Sequence, residues 1–340
     1  MKQLLEKLCM AAGVNGVGDV ADVIAEELKN YVSEVHRDNL GNVWGVRPAA
    51  CENAPVLLLE AHMDEIGFVV TDVTDNGFLR VAPCGGVDER LLAAQPVTVL
   101  TTPPINGVFC STPPHLSALN EKTPSAVERG IDIGMSASEA KAAVPVGTRV
   151  MFAPRFDSML GDRVCAKALD NRAGCATLLY ALELLKELAL PCTVVTLFAT
   201  QEELGTRGAA PAAYAVNPDA AIVVDVSFAH TPDANAAECG KLGEGPMLGV
   251  SPFLDYAMTE QLRELAGKRN IAIQNEVMGG TTGTDADKIG VVREGIPAAL
   301  LSIPLRYMHT PSEVASLCDI ENVAKLMCEF AKYGEVQTHA

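Results

Sequence analysis

CTVVTLFATQEELGTRGAAPAAYAVNPDAAIVVDV, residues 192–226, is the stretch from which the fold can be read. Residues 192–199 and 221–226 are short apolar runs rich in β-branched residues, the pattern of buried strands. Strands that stay apolar on both faces belong inside a sheet covered by helices on each side. The first run leads into the acid pair Glu202–Glu203, flanked by Thr200, Gly205 and Gly208 in a tight loop. The second ends on Asp225. A charge at the tip of so apolar a strand is costly unless it is paired or metal-bound, so Asp225 reads as a ligand.

Working outward, Val56–Leu59 predicts another buried strand, running straight into His62, and 271–277 (IAIQNEV) and 297–303 (PAALLSI) predict two more. Helical spacing recurs in Val20, Val23, Ile24, Leu28 and Tyr31, in Leu178, Leu182 and Leu185 after Asp170, and in Ile320, Val323, Met327 and Phe330. Alternating strands and amphipathic helices predict an α/β fold, a mostly parallel sheet flanked by helices. Between 66 and 158 the character changes. Prolines and glycines are frequent, apolar runs are short, and helical spacing is weak except near 136–143. The expected organisation is a discontinuous catalytic domain, 1–65 and 159–340, carrying a β-rich insertion at 66–158.

With 340 residues, 49% hydrophobic and 20% charged, the chain can bury the core of two such units. Its formal net charge of −17 argues against nucleic acid and anionic membrane as partners, because both demand basic patches. The ten cysteines are scattered and form no CxxC pair. The opening MKQLLEKLCMAAG does not read as a signal peptide, since Glu6 and Lys7 interrupt its apolar residues. No uncharged apolar run is long enough to span a membrane. A reducing cytoplasmic setting is expected.

His62, Asp170, Glu202, Glu203, Asp225 and His309 all fall at or just beyond expected strand ends, or at a helix start. Ligand sites of open α/β sheets gather at the carboxyl ends of strands, so residues far apart in sequence can converge there. Three carboxylates and two imidazoles suit two divalent cations sharing one bridging carboxylate, and the remaining Glu would be a general base. Each residue also has a blander reading. Asp170 has the position of a helix N-cap, the Glu pair that of a solvated turn, and His309 that of a loop histidine. In His62-Met63-Asp64, alternation puts Asp64 on the same side as His62, where it can fix the imidazole's tautomer. Glu65 should point the other way and be structural. Lys167 and Arg306 flank the ligands and suit either substrate contact or pairing with acids. His36, His115, His230 and His339 read as bystanders.

Taken together, AHMDEIGF, ALDNRAG, ATQEELGTRGA, VVDVSFAHTPD, GTDAD and IPLRYMHTPSE resemble, in this order, the tetrahedral aminopeptidases. These are dinuclear metallopeptidases that include glutamyl and deblocking aminopeptidases. PPHL at 113–116 and IDIG at 131–134 are similar to that family's inserted dimerisation domain. The resemblance implies Asp170 as the bridging ligand, His62 and Asp225 on one metal, and Glu203 and His309 on the other. It implies Glu202 as general base, Asp64 as partner of His62, peptide substrates, and dimers assembled into a tetrahedral dodecamer. Two divalent ions per subunit are expected, with Zn²⁺, Co²⁺ and Mn²⁺ all compatible with the donors. One departure is GGTTGTDAD, where the family has a glycine-rich run before Thr-Asp-Ala. It places Thr281, Thr282 and Asp287 in a loop expected near the substrate. The readings to be distinguished from an aminopeptidase are a related dinuclear amidohydrolase (deacylase or carboxypeptidase), a metal-independent glycosidase, and an assembly protein with a vestigial site.

Overall fold

The computed structural model describes residues 1–116 and 124–336; His339 lies outside them. Eight strands form the main sheet in the order Val35–Arg37, Val43–Arg47, Thr193–Ala199, Val56–His62, Ala220–Phe228, Ala298–Leu305, Met247–Val250, Gln274–Val277. The four middle strands are parallel. Val43–Arg47 and Met247–Val250 flank them antiparallel. The strand expected over 271–277 is confined to Gln274–Val277, because its neighbour Met247–Val250 offers only four residues to pair with. Ile271 and Ile273 lean instead on the hydrophobic core.

Both faces of the middle strands are covered, which is why their sequences are apolar without alternation. Leu57, Leu59, Ile222, Val224, Leu301 and Ile303 point to one face, against helices Leu169–Leu185 and Leu317–Tyr333. Leu58, Ala221, Val223, Ala298 and Leu300 point to the other, where Ala209–Val216 and Ala286–Ile289 lie. Each buried Leu, Ile or Val contributes about 1.5–3 kcal/mol relative to an exposed one.

Strand alternation now places the polar groups. On the second face, Leu58 is followed by Glu60 and His62, Val223 by Asp225 and Ser227, and Leu300 by Ser302. The apolar face of the sheet therefore turns polar at the carboxyl ends of three adjacent parallel strands. The site is built there.

Six further strands close into a barrel in the order Gly67–Val73, Leu79–Cys84, Ile131–Asp132, Ile105–Phe109, Pro96–Val99, Arg149–Phe152. It has its own core, in which Phe68 meets Phe109 and Phe152 edge-on at centroid distances of 4.8 and 5.5 Å. Phe156–Ser158, Arg163–Ala166 and Glu313–Ser316 form a small antiparallel sheet that carries the chain to Asp170 on one side and away from His309 on the other. No helix among the described residues is long and apolar enough to cross a membrane.

Candidate functional site

Five separate segments converge on one cavity of about 350 Å³, whose lining includes His62, Asp170, Glu202, Glu203, Asp225 and His309. His62 is the last residue of its strand. Its Nε2 lies 3.2 Å from Asp170 Oδ1 and 3.7 Å from Asp225 Oδ1. The other Asp170 oxygen, Oδ2, lies 3.4 Å from His309 Nε2, which is also 3.4 Å from Glu203 Oε2. Two ligand trios result, His62–Asp170–Asp225 and Asp170–Glu203–His309, sharing Asp170. Glu202 belongs to neither. Its Oε2 faces His62 Nε2 at 3.9 Å and lines the same cavity.

Local backbone explains why these side chains point inward. Asp170 has φ −78° and ψ 103°, outside the helical region, and Asn171 takes the capping role by accepting from the Gly174 N–H at 2.9 Å. The Asp170 carboxylate is thereby free of the N-cap duty its position suggested. Ala168, Gln201 and His309 all adopt left-handed φ, 56°, 60° and 62°. For residues with a Cβ this conformation costs about 1–3 kcal/mol each, and such strain clusters at functional sites. These residues sit in the loops that follow Arg163–Ala166, Thr193–Ala199 and Ala298–Leu305.

The His62 Nδ1 side faces Asp64 Oδ1 at 3.6 Å, just beyond hydrogen-bonding range. That oxygen accepts the Glu202 N–H at 3.1 Å, so Asp64 links the His62 strand to the acid loop. Glu65 turns away, as alternation requires, into buried ion pairs with Lys167 (2.7 Å) and Arg172 (3.2 Å). This settles Lys167 as a structural partner. Arg306 donates to the His230 carbonyl. His230 is exposed, His115 is exposed, and His36 stacks on Trp44.

Electrostatics set the site apart from the rest of the sheet. Burial depresses the His62 imidazole, but Asp170, Asp225 and Asp64 overcome that and hold it well above its ordinary value. Burial opposes ionisation of Asp170 as well, and the two imidazoles nonetheless keep it below the carboxylate range. Burial and neighbouring acids raise Glu202 to about 8 and Glu203 to about 10. Asp225 is raised chiefly by burial. Among the described residues, no lysine or arginine lines the cavity. Crowded carboxylates without a fixed lysine or arginine countercharge fit an environment made for cations.

Sequence reading missed five contributors. Glu313, fully buried, accepts the Asp170 N–H and the His309 N–H. Gly86, from the segment that forms the barrel, lies against His309, and a Cβ there would be 2.7 Å from His309 Nδ1. Glu60 and Asp285 form a buried carboxyl pair beneath His62, with Asp285 raised to about 7 by burial. Glu276 reaches the cavity from the edge of the sheet. Glu313 and Asp285 lay inside the quoted motifs PLRYMHTPSE and GTDAD, so an acid beside a ligand was the available signal. In the departing loop, Asp287 folds back onto the Thr282 and Gly283 N–H groups at 2.9 and 3.0 Å, and Thr282 and Thr284 line the cavity.

A family model described as M42 glutamyl aminopeptidase matches residues 41–326. A lysyl aminopeptidase of Pyrococcus furiosus is 33% identical over 332 residues, covering 95% of this chain and 94% of that relative. Among solved structures, an aminopeptidase from the archaeon Desulfurococcus kamchatkensis superposes with a TM-score of 0.91 at 35% identity, covering 97% of this chain and 94% of that one. The TET1 peptidase of Pyrococcus horikoshii, described as able to assemble into a tetrahedron or a large octahedral shell, gives 0.86 at 31% identity, covering 97% and 98%.

Proposed function

Because this chain belongs to the M42 glutamyl aminopeptidase family, and is thus a hydrolase acting on peptide bonds, we propose that it removes N-terminal residues from peptides with the help of two divalent cations and Glu202. The observation that carries this reading is Asp170, whose two oxygens face different histidines in two ligand trios. His62, Asp170 and Asp225 would hold one cation, and Asp170, Glu203 and His309 the other. Two imidazoles and three carboxylates suit Zn²⁺, Co²⁺ or Mn²⁺. When bound, such ions lower the pKa of water and polarise the scissile carbonyl.

The chain's own residues supply the rest. Asp64 beside Nδ1 favours the tautomer that leaves His62 Nε2 free to ligate. Glu202, outside both trios but on the cavity wall, takes the proton from the attacking water on its carboxylate and delivers it to the departing amine nitrogen. A nearby acid or cation that receives the substrate's free α-amine makes the enzyme an exopeptidase.

The test is hydrolysis of aminoacyl-p-nitroanilides and their N-acetylated counterparts by the metal-free protein, reloaded separately with Zn²⁺, Co²⁺ and Mn²⁺. Metal-dependent release from free-amine substrates alone is expected. Equal release from the acetylated set would point to a deacylase-like amidohydrolase, and activity that survives exhaustive chelation to metal-independent chemistry.

Self-association is part of the same reading. Residues 66–158, which contain the barrel strands, would form the dimerisation domain, with dimers joining into a tetrahedral dodecamer. The shell described for the P. horikoshii relative supports this. Sedimentation velocity of the whole chain tests it. Ten cysteines without a disulfide suit the reducing cytoplasm. The relatives' names differ in the residue removed, lysyl in one and glutamyl in the family description. Specificity therefore has to be sought in this chain's own cavity.

A further inference from the structure

Glu276 is an acid on an edge strand, a position from which a carboxylate ordinarily turns to solvent. Here it turns inward. Its two oxygens accept hydrogen bonds from Ser227 Oγ and Ser302 Oγ, the latter at 2.6 Å. Those serines belong to the two strands beyond the intervening Met247–Val250 strand. On that intervening strand the residue in register with Glu276 is Gly249, which presents no side chain to stand in the way. The two serines thus fix a carboxylate that has crossed the sheet surface to reach the cavity holding both ligand trios.

Glu276 also lines a second, adjoining cavity of about 410 Å³, together with Glu238, Phe228, Asn275, Met278 and Thr281. It stands between the two spaces. Among the described residues no lysine or arginine lines either cavity, and the side-chain partners of Glu276 are the two serine hydroxyls. Burial raises its carboxyl, the serine hydroxyls oppose that, and Asp225 adds repulsion. A largely buried carboxylate with hydroxyl partners but no countercharge is costly to keep ionised, and an arriving cation removes the cost.

Position decides which cation. Ser302 is the register partner of Asp225 on the next strand, and Ser227 lies two residues beyond Asp225, about 6.6 Å of strand. From the ligand trio to the Glu276 carboxylate is therefore a side chain's length, not a peptide's. The four-carbon stem of lysine, or the three-carbon stem of arginine with its guanidinium, spans it and ends in a positive group. An acidic side chain would bring a second carboxylate against the first.

We propose that Glu276, held by Ser227 and Ser302, is the specificity-determining residue that selects a basic N-terminal side chain, lysine or arginine. This rests on the aminopeptidase reading above, and the experiment separates the two. The metal-loaded protein and its Glu276→Gln variant are assayed on lysyl-, arginyl-, leucyl- and glutamyl-p-nitroanilides. For the unmodified chain, kcat/KM should be highest on lysyl and arginyl substrates and lowest on glutamyl. In Glu276→Gln, kcat/KM for lysine should fall by about 30-fold or more, mainly through KM, while leucine stays within about threefold. Calorimetry adds a readout without turnover: L-lysine should bind about tenfold or more tightly than L-norleucine, which shares its stem and lacks its ammonium. The unmodified chain preferring leucine or glutamate would overturn the proposal even if the variant failed to fold. So would an unchanged lysine-to-leucine ratio in the variant. No hydrolysis of any substrate with any metal would overturn the aminopeptidase reading and this proposal with it.

Discussion

Glu313 fastens Asp170 to the rest of the site by its backbone: one carboxylate oxygen accepts the Asp170 N–H at 3.0 Å, and the other accepts the His309 N–H at 2.9 Å. The same buried side chain thus sets the relative position of the shared ligand and of the histidine on its far side. Burial raises the Glu313 carboxyl well above its ordinary value, and the two N–H donors act against that.

Glu313→Gln replaces one acceptor oxygen with an N–H₂ group facing an N–H donor. One buried donor is left unpaired, at a cost of about 1–3 kcal/mol. The variant should melt lower, and the metal content of the purified protein should fall toward one ion per chain, because the Asp170–Glu203–His309 trio loses its alignment. Elemental analysis showing two ions bound as tightly as before would remove the positioning role.

Glu202→Gln should keep both ions, since Glu202 lies outside both ligand trios. Its kcat on a good aminoacyl substrate should drop by about 10²–10⁴-fold, the usual range for a general base. Retention of most activity with full metal occupancy would end the assignment.

The metal-free protein should lose stability as pH rises. Glu202 and Glu203, ordinarily at 4.5, are raised to about 8 and about 10, so the folded chain holds protons the unfolded chain releases. His62 and His309 are raised as well. Their stabilising contribution is full below the unfolded histidine value and fades as pH passes their folded values. Asp170, held low, contributes in the opposite sense, and its share is lost only in strong acid. Melting temperatures in chelator should therefore decline from about pH 5 to about pH 9. Added Zn²⁺ should flatten that decline, because cations take the place of the protons. A melting temperature that rises across this range in chelator would contradict the account.

Glu65→Leu should be among the more damaging substitutions, although Glu65 adjoins Asp64. It strands Lys167 and Arg172, both fully buried, without their carboxylate. Breaking a buried pair by removing one partner costs about 3–5 kcal/mol. Urea denaturation of the metal-loaded protein measures it, and a loss under about 1 kcal/mol would show that the cations find other partners.

The sequence by itself determined the strand that ends in His62, the strand that leads into the Glu202–Glu203 loop, and the strand that carries Asp225, although that one runs on past the acid to Phe228. Apolar runs that stop at a charge are a local signal, and period-two alternation told Asp64 from Glu65. It also determined the α/β class, since strands buried on both faces leave no other arrangement. Only the tertiary structure decided the order of those strands, the closing of the barrel, and the approach of Gly86 to His309 from a segment more than two hundred residues earlier. The same holds for Glu313 and Glu276. Glu313 reaches back to the nearby His309 but also across to Asp170 on a distant segment, and the partners of Glu276 come from strands two and three places away in the sheet. Hydrophobic pattern is written residue by residue. Which polar groups meet depends on strand order and register, and these are fixed only when distant segments pair.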